Sequence, residues 1–83
     1  MRPEGRDPAH LWDMLQAARD ARDIARAVGE ADLAGDRVRM LALERSMELI
    51  GEAARRVSRK LCQASPQIPW KEIVGLRNIL AHE

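Results

Sequence analysis

The chain is 83 residues long, enough for one small domain whose core lies at the lower end of what folds alone. Hydrophobic residues make up 46% but aromatics only 2%, with no Phe and no Tyr, so any core is built from Leu, Ile, Val, Met and Ala, a set that suits helices better than strands. Fourteen Lys and Arg against thirteen Asp and Glu leave a net charge of +1, which gives no support to a large electrostatic grip on nucleic acid, and the single Cys62 rules out an internal disulfide and a cysteine zinc cage.

Residues 1–6 hold Pro3 and Gly5 and little to bury, and read as a disordered tail to a single domain that takes in the rest of the chain. Asp7 followed by Pro8 predicts a helix start, with Asp as the N-cap and Pro at the first helical position. The first helix should run over 8–28, where Leu11, Met14, Leu15, Ala18, Ala21, Ile24, Ala25 and Val28 trace an apolar stripe and Gly29 ends it. Trp12 stands beside the stripe, an edge-of-core position, and His10 reads as a surface residue. A short connection follows, in which Leu33 tucks back on the core and Asp36 caps the next helix.

That second helix is expected over 37–64. Its stripe of Met40, Leu43, Met47, Ile50, Ala54, Val57 and Leu61 alternates steps of three and four, the seam of antiparallel bundle helices or of a coiled coil. A second row at Leu41, Leu49 and Ala53 widens the apolar face to more than one neighbour. Gly51 in mid-helix costs roughly 1 kcal/mol relative to Ala, so its presence implies a close approach there. Arg55, Arg56, Arg59 and Lys60 form a basic run that complements the helix dipole whatever else they touch.

Ser65 and Pro66 break the helix, and Ile68 and Pro69 set up a third over 69–83. Trp70 should be largely buried at its start, packed on the second helix, with Trp12 the more accessible of the two. The end of this helix holds the one place where an arginine, an amide and an imidazole sit together: Arg77, Asn78 and His82. Histidine suits proton transfer near neutrality, and arginine donates paired hydrogen bonds to a phosphate on which charge builds. Such a set binds a scissile phosphate without metal, and no cluster of carboxylates or histidines looks able to hold one. On an ideal helix Arg77 and His82, five apart, point roughly 140° away from each other. A two-fold dimer resolves this by gathering both residues from two copies in one cleft.

The run IGEAARRVS at 50–58, followed by PQIPWKEIVGLRNILAHE at 66–83, resembles the HepT-like branch of the HEPN superfamily of helical toxins. The resemblance implies a metal-independent, cofactor-free endoribonuclease, working on RNA as a homodimer and paired with a minimal nucleotidyltransferase antitoxin. The family signature, an Arg, a polar residue, three further residues and a His, falls on Arg77, Asn78 and His82. By that likeness Arg77 and His82 are the catalytic pair and Asn78 the positioning residue. The pattern departs at its end: the family has a tyrosine two residues after the histidine, where the antitoxin attaches AMP, whereas this sequence stops at Glu83 and has no Tyr. The expectation is therefore a fragment or a truncated gene, on which that AMP attachment has no acceptor.

The fold expected is all-α, an incomplete up-down antiparallel bundle with helices about 8–28, 37–64 and 69–83, paired into a dimer. The alternative function is a non-catalytic dimeric helical module that binds a nucleotidyltransferase partner or a nucleotide. With no apolar run long enough to span a bilayer and no signal-peptide pattern, no membrane contact is expected and a cytoplasmic home is the default.

Overall fold

The computed structural model describes residues 5–28 and 35–81, the side chains of Val28 and of residues 77–81 excepted. The chain is all-α: α1 spans Arg6–Val28, α2 Arg37–Arg56, α3 Arg59–Ala64 and α4 Trp70–Ala81. The turn expected around Leu33, and His82 and Glu83 at the end of the last helix, lie outside the described residues.

The first helix begins two residues earlier than its sequence signals suggest. Gly5 adopts φ +91°, a conformation that residues with a Cβ rarely enter, and its carbonyl accepts the amide of Ala9 at 3.2 Å. Asp7 is thus inside the first turn, where its charge suits the helix N-terminus, and is not the cap. Pro8 sits harmlessly beside it, because amides of the first turn have no intrahelical acceptor to lose.

The larger difference is in the second helix, expected to run unbroken over 37–64. It starts as expected, with the Asp36 carboxylate accepting the Arg39 amide at 3.0 Å, but it ends at Arg56. Val57 and Ser58 are extended, with ψ of 139° and 148°. Ser58 then caps the short α3, its hydroxyl oxygen accepting the Leu61 amide at 3.2 Å and its carbonyl the Cys62 amide at 3.1 Å. The apolar seam runs through this break because Val57 and Leu61 remain in register with the core, so periodicity alone reads the two helices as one. A serine offering its own side chain to the backbone is what competes with helix continuation.

Helices α1 and α2 form an antiparallel hairpin, and α2 also packs against α4. The interior is made of small residues: Ala9, Ala17, Ala53, Ala54 and Val57 are buried, with Gly51 and Ser46 beside them. Ser46 satisfies its hydroxyl by donating to the Ala42 carbonyl at 3.0 Å. Met40, Leu43, Met47, Ile50 and Leu61 are half-buried, as is Trp12. The molecule is only 19 Å through its thinnest dimension, about two helix diameters, so each helix has a face that no neighbour covers. The stripe of α1 splits accordingly. Met14, Ala21 and Ile24 turn partly inward, while Leu11 and Leu15 are 36% and 44% exposed. In the second row of α2, Ala53 is buried but Leu41 and Leu49 are 51% and 39% exposed. One neighbouring helix is narrower than either apolar face.

Candidate active site

Positions 77 and 78 are carried by α4, whose start is tied down locally. The Trp70 amide donates to the Ile68 carbonyl at 2.8 Å and the Ile73 amide to the Pro69 carbonyl at 3.0 Å. The indole of Trp70 is half-buried rather than enclosed, and its Nε1–H donates to the Ser65 carbonyl at 3.0 Å. That bond anchors the start of α4 to the residue that ends α3. From this anchor, Ile73, Val74, Gly75 and Leu76 are half-buried, and the backbone stays helical through Arg77 and Asn78 to Ala81. The side chains of Arg77 and Asn78, and the whole of His82, lie outside the described residues.

Two polar features are resolved away from this motif. Between α1 and α2 runs an open groove of about 250 Å³ lined by Asp13, Gln16, Asp20, Glu52 and Arg56 over a floor of Ala17, Leu49 and Ala53. Asp13 and Glu52 both have interaction partners. Among the described residues no group of three or more His, Cys, Asp or Glu side chains is placed to hold a metal ion.

The second feature is a clasp that joins the two ends of the hairpin. Asp7 Oδ1 accepts the backbone amide of Ser58 at 2.8 Å, and Oδ2 accepts its hydroxyl at 2.5 Å, between residues 51 apart in sequence. The Ser58 hydroxyl, then its amide, hold the Asp7 carboxyl below its ordinary value, with a smaller contribution from nearby His10 and some opposition from desolvation. His10 itself is half-buried rather than at the surface, with Nδ1 enclosed and without a hydrogen-bond partner among the described residues. The signal for the clasp was present in the sequence as a serine three residues before Leu61, in the position of an N-cap, but nothing in the spacing paired it with Asp7.

The described residues form an all-helical fold whose last helix carries Arg77 and Asn78, followed in sequence by His82. The chain belongs to the HepT-like ribonuclease family, whose model matches residues 14–83. It is 36% identical over 75 residues to "Putative RNase MJ1380" of Methanocaldococcus jannaschii, covering 90% of this chain and 69% of that protein. It is 32% identical over 74 residues to "Putative RNase TTE0752" of Caldanaerobacter subterraneus, covering 89% and 66% of the two chains. It is also 29% identical over 73 residues to "Probable ribonuclease HepT" of Thermococcus cleftensis, covering 88% and 66%. The chain thus spans about two thirds of the length of these relatives. No solved structure matches it. No helix among the described residues is long and apolar enough to cross a membrane.

Proposed function

We propose that this chain is the helical, site-bearing part of a metal-independent endoribonuclease, the cytoplasmic toxin of a pair whose antitoxin is a minimal nucleotidyltransferase. The observation that carries the reading is the family match, because it includes the whole stretch from Arg77 to His82. His82 takes the proton of the attacking 2′-hydroxyl or supplies one to the leaving 5′-oxygen. As the 2′-oxygen forms its bond to phosphorus and the P–O5′ bond breaks, Arg77 balances the charge on the non-bridging oxygens, and Asn78 positions the phosphate.

The protein acts as a homodimer in this reading. The five-residue separation of Arg77 and His82 favours a cleft built from two copies, and the exposed Leu11, Leu15, Leu41 and Leu49 supply apolar area for a second subunit to cover. His82→Ala and Arg77→Ala in the full-length protein should each lower RNA cleavage in the presence of a chelator by about 10²-fold or more, the usual range for a lost acid–base group and for a lost charge-stabilising donor respectively, with folding and dimer intact. Arg77→Lys should not restore the rate, since an ammonium lacks the two-pronged donor. A folded His82→Ala dimer that cleaves at the wild-type rate would end the assignment of His82, whereas a folded wild-type protein that does not cleave RNA would favour the non-catalytic module that binds a nucleotidyltransferase partner or a nucleotide.

A further inference from the structure

The net charge of +1 conceals an uneven distribution. Between Glu52 and Glu72 the sequence holds Arg55, Arg56, Arg59, Lys60 and Lys71 and no carboxylate at all. The structure concentrates four of these cations. Arg55 and Arg56 end α2, Arg59 and Lys60 begin α3 immediately after the break, and all four are exposed. The clasp from Asp7 to Ser58 brings the start of α1 to the same corner, and with it the exposed Arg6. The carboxylate at the centre of this corner, Asp7, spends both oxygens on Ser58. Arg56 lines the groove that holds Asp13 and Glu52 and is left out of the corner for that reason. Among the described residues the remaining ion pairs are Arg22–Asp23, Arg39–Asp36 and Arg45–Glu48, and none draws on Arg6, Arg55, Arg59 or Lys60.

We infer that Arg6, Arg55, Arg59 and Lys60 form a phosphate-binding corner that holds the backbone of the RNA strand. The inference rests on the ribonuclease reading for the identity of the polyanion. Three features favour a nucleic-acid backbone. The cations are mostly arginines, whose planar fork donates in pairs to phosphate. They come from three separate helices held at one corner, so they present a local field that the overall charge does not reveal. They also lack the interleaved aromatics that would stack bases, so the corner should bind the backbone whatever its sequence.

The test compares the full-length protein with the triple variant Arg55→Ala/Arg59→Ala/Lys60→Ala, measuring binding to a fluorescein-labelled single-stranded oligoribonucleotide in chelator across a salt series. Each lost phosphate contact should flatten the log–log salt slope by about 0.7, so the triple variant should lose roughly two from the slope and about tenfold or more in affinity near 0.1 M salt. Arg55→Lys/Arg59→Lys/Lys60→Arg should keep the slope, and Arg19→Ala/Arg22→Ala/Arg26→Ala, the same charge change on α1, should leave it unchanged. An unaltered slope in the first triple variant overturns the corner even if the protein cleaves RNA. So does a variant that keeps its RNA affinity but no longer holds an acidic partner protein, or a wild-type protein with no RNA affinity. A protein that binds through these residues yet never cleaves overturns the ribonuclease reading and leaves the corner standing.

Discussion

The two ends of the α1–α2 hairpin are held by different kinds of bond. Where α1 begins, Asp7 reaches Ser58 across 51 residues with two short hydrogen bonds. Away from the clasp, the ion pairs resolved among the described residues join near neighbours: Asp36 with Arg39, Arg22 with Asp23, and Arg45 with Glu48, all at least partly exposed. Contacts of the second kind stabilise a helix turn by a few tenths of a kcal/mol and say nothing about which helix lies next to which. Those of the first kind fix where one helix stops and where its neighbour starts. The family match begins at residue 14, so Asp7 lies upstream of the matched segment, while the serine it holds lies inside it.

The largest effect is expected in the apolar interior one turn from the clasp, where packing rather than a polar bond decides. Ala54 is 2% exposed and sits in an interior of alanines. Ala54→Leu has no space to enter and should destabilise the chain by about 1–3 kcal/mol, each kcal/mol lowering the melting temperature of a domain this small by roughly 4–8 °C. Leu41→Ala, on an exposed position, should shift the melting temperature of the monomer far less. Calorimetry in which the two variants melt together would show that the alanine interior is not packed as described.

The next effect sets one end of the hairpin against the other. Ser58 and Asp36 are both N-caps whose side chains accept an amide three residues on. Replacing either with Ala should remove about 0.5–2 kcal/mol of capping. Ser58→Ala also deletes the hydroxyl that donates to Asp7, so denaturant midpoints should place it below Asp36→Ala. Equal midpoints would mean that the long-range bond adds nothing to the cap.

That pair of caps also marks how far the sequence can be read. The Asp36 cap was legible because it follows a loop and precedes an apolar repeat. The Ser58 cap was not, because Val57 and Leu61 continue the heptad seam through the break, and a period-based reading has no means of seeing a two-residue interruption that preserves phase. The all-α class and the start of α4 were plain from composition and from Pro69. The apolar stripe of α1 is legible, but a stripe shows what is apolar and not how wide the neighbour is, and so it does not separate Leu11 and Leu15 from the inward Met14 and Ile24. Of the candidate site, the residue types and their spacing were visible at Arg77, Asn78 and His82. Three cations of the corner, Arg55, Arg59 and Lys60, were legible as a basic run, but Arg6 was not, because only the clasp brings the start of α1 beside them.

The smallest effect separates the charge of the clasp from its geometry. Hydrogen bonds from Ser58 hold the folded-state pKa of Asp7 below its ordinary value of 3.8. A carboxyl with a depressed folded pKa contributes stability that is fully present above the unfolded value and lost as pH falls through the folded one. Stability assigned to Asp7 is therefore constant near neutrality and disappears in acid, below 3.8. Asp7→Asn keeps an oxygen that accepts the Ser58 amide but removes the ionisable group, so it should lower the urea midpoint at pH 7 slightly. The gap from wild type should close as pH drops below 3.8, because protonation then leaves both proteins with a neutral side chain at position 7. The same pH series on Asp36→Asn provides the reference at the other end, where among the described residues the carboxylate meets Arg39 of its own helix. A gap for Asp7→Asn that stays constant down to pH 2.5 would assign the clasp to shape rather than charge, and a gap no wider than that of Asp36→Asn at pH 7 would erase the difference between the two ends.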